Sequence, residues 1–139
     1  MNFEGLLIQE AEFWKIYFHQ NQQYLGRCYL WAKRDGLIDL FDTSRLEREE
    51  LFELGRNLKK TLNTLFQPDL FNYASLGNVS THLHLHVIPR YKEPKVFGGR
   101  VFRDERWGKN YAPYNQKFRV QEQVLQRIKV AIIDELEKS

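Results

Sequence analysis

Apolar positions change period several times along the chain, and each change marks an element. Phe13-Trp14-Lys15-Ile16-Tyr17-Phe18 and Gly26-Arg27-Cys28-Tyr29-Leu30-Trp31-Ala32 are rich in aromatic, β-branched and other apolar residues and predict two strands. The polar turn His19-Gln20-Asn21-Gln22-Gln23 joins them as a hairpin. Leu51, Leu54, Leu58, Leu62 and Leu65 recur at spacings of three and four, as one face of an amphipathic helix requires. Ser44-Arg45-Leu46-Glu47 has the capping-box pattern that opens such a helix, and Gln67-Pro68 closes it. Leu70 to Leu76 and His82 to Ile88 then predict a second strand pair, linked through Gly77-Asn78. From Tyr91 to Pro113 glycines, charges and scattered aromatics follow no period, which predicts a long ordered loop that holds function. Val120, Val124, Leu125, Ile128 and Ile132 predict a second amphipathic helix over Phe118 to Leu136. The expected class is α+β with an antiparallel sheet, and no internal repeat or low-complexity tract interrupts it.

One predicted strand carries unusual chemistry. Three of the four histidines fall in His82-Leu83-His84-Leu85-His86, followed by Val87-Ile88-Pro89-Arg90. Side chains alternate across a strand, so the histidines line one face roughly 6.6 to 7 Å apart while Leu83, Leu85 and Val87 face a core. Pro89 cannot donate to a central ladder and is expected at an end or an edge. A row of imidazoles has three uses. It can ligate a metal, since three match the ligand count of some catalytic zinc sites; it can do nucleophilic or acid-base work; or it can be a polar strand face without chemistry.

Composition bounds the setting. A chain of 139 residues can bury on the order of two-thirds of its unfolded surface in one core. Residues 1–139 are therefore expected to form one domain, with 91–117 a loop or tail segment and 118–138 a C-terminal helix. Cys28 is the sole cysteine, which rules out an intramolecular disulfide, fits a reducing cytoplasm and reads as a small buried hydrophobe. Met1-Asn2-Phe3-Glu4 lacks a basic start, and Leu6-Leu7-Ile8 is too short for a signal core. No stretch approaches the apolar length of a membrane span, so a soluble, cytoplasmic protein is expected. The net charge of +3 is too small for nucleic-acid binding as a main activity. Arg90, Lys92, Lys95, Arg100, Arg103, Arg106 and Lys109 nonetheless make a basic stretch directly after the histidines, suited to drawing in a polyphosphate.

The string Asn72 to Arg90, with its His, apolar, His, apolar, His, apolar, apolar core, resembles the signature of the histidine triad (HIT) superfamily. Tyr24-Leu25-Gly26-Arg27-Cys28 resembles the family's turn between its first two long strands. Trp107-Gly108-Lys109-Asn110-Tyr111-Ala112-Pro113-Tyr114 is similar to the tail of small bacterial members described as diadenosine tetraphosphate hydrolases. The resemblance covers roughly residues 10 to 115. It implies a twisted antiparallel sheet of about five strands with two main helices, and a homodimer.

It also implies roles. The middle histidine, His84, would attack the α-phosphorus of a nucleotide, with its other ring nitrogen held by a backbone carbonyl; His86 would bond a phosphoryl oxygen or assist the leaving group, and His82 would support the nucleophile. A neutral imidazole has the lone pair this needs and requires no metal. Asn72 and Asn78 match phosphate-contacting positions, although Asn is also ordinary turn chemistry. Gln20 or Asn21 stands where family members often bind ribose hydroxyls with an Asp. Two positions depart from the pattern. Asp35 follows Lys33-Arg34 where many members have a histidine, and Val79 occupies a Ser/Thr position, leaving Ser80 as a substitute. Trp107, Tyr111 and Tyr114 either stack on a base or pack the tail.

The activity so implied is hydrolysis at the α-phosphate of dinucleoside polyphosphates or nucleoside phosphoramidates, releasing a nucleoside monophosphate. No metal site or cofactor is required, although Mg2+ can accompany a polyphosphate substrate. Two alternatives stay open: nucleotidyl transfer through the same intermediate, and a nucleotide- or zinc-binding module without turnover.

Overall fold

Helix α1 (Arg45–Phe66) starts where its capping box predicts. The Ser44 hydroxyl accepts from the Glu47 amide at 3.1 Å, and the Glu47 carboxylate accepts from the Ser44 amide at 2.7 Å. Gln67 ends it in the left-handed conformation (φ 52°), just before Pro68. Leu51, Leu54, Leu58, Leu62 and Phe66 form its buried stripe; Phe66 is buried deeper than the expected Leu65.

The computed structural model describes residues 4–139, so the Met1-Asn2-Phe3 start considered above lies outside the described residues. Strands β1 (Leu7–Glu10), β2 (Trp14–Phe18), β3 (Cys28–Ala32), β4 (Leu70–Ala74) and β5 (His84–Arg90) form one antiparallel sheet in the order β1-β2-β3-β5-β4. Both expected hairpin pairs are present, and β3 against β5 joins them. Strand β1 was not expected from its short apolar run. Trp14, Ile16, Phe18, Cys28, Leu30 and Ala32 alternate onto the face beneath α1 with at most 1% exposure, which sets the core there. Cys28 is buried, as expected, and burial pushes its thiol pKa up.

Three expectations change. Strand β5 starts at His84, because the backbone of Leu83 is shared: its N–H bonds to Leu37 O at 2.8 Å while its carbonyl accepts from Ala32 N at 3.1 Å. Pro89 lies inside this central strand, opposite Phe71. Leu83 O faces β3 and Arg90 O faces β4, so by alternation the missing N–H of Pro89 points toward β3, beyond its last pair, Cys28 with Val87. Finally, the 91–117 segment contains a hairpin, β6 (Lys95–Phe97) and β7 (Arg100–Phe102), turned at Gly98-Gly99 with φ of 59° and 78°.

Helix α2 spans Glu122–Leu136 and buries Val124, Ile128, Ile132 and Leu136 against α1 and β1. It begins four residues later than expected; Phe118 and Val120 pack on the core from the coil before it.

Candidate active site

Strand register builds the site on the sheet face away from α1. Tyr29 pairs with His86 and Trp31 with His84, so these side chains share that face. The His84 and His86 rings are 5.0 Å apart, closer than backbone spacing alone implies because they meet edge to face at 81°. Trp31 stacks on both His82 (4.5 Å, 25°) and His84 (5.5 Å, 28°), so one indole plane bridges two histidines. Tyr29 lies 5.8 Å from His86 and stacks on Tyr17 at 5.3 Å.

Hydrogen bonds then fix which nitrogen of each imidazole is available. His82 donates from Nε2 to the Ala32 carbonyl at 2.5 Å. His84 donates from Nδ1 to the His82 carbonyl at 2.7 Å, which leaves the Nε2 lone pair free. His86 accepts at Nδ1 from the Arg27 guanidinium at 3.4 Å, which puts its proton on Nε2. Burial, then the Arg27 charge, then His84 lower the His86 pKa to about 3. The site thus sets an imidazole held at Nδ1 beside a neutral one that carries its proton on Nε2.

The fourth histidine joins this cluster. His19 stands 5.8 Å from His86, accepts at Nδ1 from the Asn21 amide at 3.0 Å, and has its pKa lowered to about 3 by burial, Arg27 and His86. Sequence reasoning placed His19 in a polar turn and passed over Arg27. A signal was present: Arg27, Tyr29 and Trp31 alternate onto one strand face, and a charge beside such aromatics is seldom idle.

Other expected residues scatter. Asn72 on β4 accepts from Arg90 Nη1 at 2.7 Å. Asn21 is buried, its amide donating to Asn115 O and accepting from the Gln23 amide, each at 3.0 Å. Gln20 is half-buried beside His19 in sequence. Asn78, Val79 and Ser80 are exposed in the loop between β4 and β5, and Asp35 is exposed after β3. Trp107 lies under the Lys92 ammonium, 5.8 Å from its ring centre. Tyr114 and Tyr111 stack on one another at 6.2 Å, with the Arg27 guanidinium 4.7 and 5.5 Å from their centres.

Much of the basic stretch holds the tail rather than standing free. Arg90 bonds both Asp104 oxygens, Lys109 O and Arg106 O; Arg106 bonds Asn110 O and Ala112 O. Arg100 covers Phe118, and Lys95 covers Tyr91. Among the described residues no three of His, Cys, Asp and Glu are placed to hold a metal ion.

A histidine row on the open face of a five-stranded antiparallel sheet, each ring locked by a carbonyl or a cation, defines a histidine triad protein. The HIT domain family model matches residues 6–93, and the chain belongs to that family. An uncharacterized HIT-like protein of Mycoplasma genitalium is 30% identical over 69 residues, 46% of this chain and 49% of that protein. The chain thus matches about half the length of that relative. A histidine triad protein from Marinobacter aquaeolei has the same fold with a TM-score of 0.78 at 19% identity, covering 98% of this chain and 93% of that one. One from Bradyrhizobium japonicum gives 0.75 at 18%, covering 96% and 92%. A zinc-bound family member from Mycobacterium smegmatis gives 0.64 at 16%, covering 96% and 84%. Among the described residues no helix is long and apolar enough to cross a membrane.

Proposed function

We propose that the chain is a nucleotide hydrolase that cleaves at an α-phosphate through a nucleotidyl-His84 intermediate, releasing a nucleoside monophosphate from dinucleoside polyphosphates or nucleoside phosphoramidates. The observation that carries this reading is the bond from His84 Nδ1 to the His82 carbonyl. In the neutral ring it keeps the proton on Nδ1 and presents the Nε2 lone pair, so the nucleophile needs no metal to be activated. As Nε2 bonds phosphorus, positive charge grows on the ring and the His82 carbonyl stabilises it. His86, holding its proton on Nε2 beside the attacking ring, is placed to bond the departing group or a phosphoryl oxygen.

The reading requires no cofactor, with Mg2+ serving only as a companion of a polyphosphate. It gives Gln20, Asn72, Asn78 and Ser80 secondary roles at most, and takes nucleotide as the partner rather than nucleic acid or membrane, in the cytoplasm. A homodimer is part of the proposal, supported by the open edge of β4 with its exposed Leu70 and Tyr73. The test is release of nucleoside monophosphate from diadenosine tetraphosphate and adenosine phosphoramidate, with and without chelator, by wild type and His84→Ala. Turnover that survives chelation and is lost with His84 is the expected result; normal turnover by His84→Ala refutes the assignment.

A further inference from the structure

Arg27 is 2% exposed, yet its Nε and Nη1 have no hydrogen-bond partner, and no ion pair among the described residues includes it. A buried cation without a counter-charge is costly and calls for a purpose. Tyr114 and Tyr111 cover its face, and among the described residues the one polar contact of its guanidinium is the 3.4 Å bond to His86 Nδ1. Building on the hydrolase reading above, we propose that Arg27 is a positioning residue that fixes His86 as a neutral Nε2–H donor and so makes the site prefer phosphoanhydrides to P–N substrates.

The leaving groups explain the preference. When His84 Nε2 bonds the α-phosphorus of a polyphosphate, the bridging P–O bond breaks and its electron pair leaves on a phosphate oxygen. That oxygen is stable as an anion and needs only a hydrogen bond, which a neutral His86 supplies. When a P–N bond breaks, the departing nitrogen must pick up a proton. A neutral imidazole is far too weak an acid to release one near neutral pH, whereas an imidazolium does so readily. Arg27 occupies Nδ1, the nitrogen that would have to be protonated to make that imidazolium.

The surroundings reinforce this. The ionisable groups nearest His86 are Arg27 and His19 from the β2–β3 connection, Tyr29 on β3 at 5.8 Å, and His84 on β5 at 5.0 Å; Ala74 is its neighbour on β4. None is a carboxylate, so nothing opposes the guanidinium. Burial first, then the Arg27 charge and His84, lower the pKa of His86 to about 3.

The experiment compares kcat/KM for diadenosine tetraphosphate and adenosine phosphoramidate in wild type, Arg27→Gln and Arg27→Lys between pH 5 and 8. Wild type should favour the polyphosphate. In Arg27→Gln that preference should fall about tenfold or more, the factor carried by one pKa unit, with phosphoramidate turnover rising as pH falls; Arg27→Lys should restore part of the preference. An unchanged substrate ratio in a folded Arg27→Gln overturns the proposal. Nitrogen NMR of His86 decides it independently of turnover and of variant folding. Wild-type His86 should carry its proton on Nε2 and stay neutral at pH 5, whereas an Nδ1–H tautomer or an imidazolium at that pH overturns the proposal. Failure of wild type to cleave either substrate, with the expected NMR result, would instead sink the hydrolase reading and the substrate preference with it, and leave the positioning of His86 by Arg27 standing.

Discussion

Arg90 and Asp104 form a buried pair, their side chains 3% and 0% exposed, joined by two bonds of 2.7 and 3.1 Å that clamp the end of β5 to the tail. Asp104 also accepts from the amides of Tyr91 and Arg106. Removing one member of such a pair strands the other charge.

Asp104→Ala is therefore expected to cost about 3–5 kcal/mol of folding stability. Because Arg90 also bonds Arg106 O and Lys109 O, the segment carrying Tyr111 and Tyr114 should loosen over Arg27 as well. Urea denaturation reads the first effect, and faster amide exchange across residues 104–115 reads the second.

Much of the site was legible in the sequence because a period-two row with apolar neighbours can hardly be anything but a half-buried strand. The capping box at Ser44 and the leucine stripe of α1 were legible for the same local reason. Hydrogen-bond partners were not: the carbonyl that fixes His82 belongs to Ala32, fifty residues away, and only the β3–β5 pairing brings it there. Strands β6 and β7 are three residues each, too short for a period, although Gly98-Gly99 was a readable turn signal. The contacts of Asn72 with Arg90 and of Trp107 with Lys92 were not legible either, because they join positions 18 and 15 residues apart.

Trp31 holds two of the three triad rings by stacking. Trp31→Ala should lower turnover about 10- to 100-fold through misorientation of His84, with a smaller change in KM; Trp31→Phe should keep most of the rate. Steady-state kinetics on either substrate separates the two parameters.

Acid should destabilise the protein through Glu47. Arg34 donates two bonds of 3.0 Å to its carboxylate, and Ser44 adds another, lowering its pKa from 4.5 to about 2. The folded-state pKa lies below the unfolded one, so this stabilisation is fully present above about pH 4.5 and is lost as pH falls toward about 2. The melting-temperature gap between wild type and Glu47→Gln should narrow over that window.

His19 and His86 act at higher pH. Both are held neutral with pKa near 3 against an ordinary 6.5, so the unfolded chain takes up their protons first and stability falls as pH drops from about 6.5 toward 3. His19→Phe should lose less stability than wild type between about pH 6.5 and 5.5, where Glu47 is still largely charged in both states. Urea midpoints at a series of pH values test the slope.

The central claim is that His84 becomes covalently bound to the nucleotide. Rapid quenching of wild type with diadenosine tetraphosphate into alkaline denaturant, which preserves a phosphorus–imidazole bond, followed by peptide mass spectrometry, addresses it directly. A nucleoside monophosphate adduct on His84, formed and lost at rates compatible with turnover, is the predicted result. An adduct on another residue, or turnover with no adduct at any quench time and undiminished activity in His84→Ala, would contradict it.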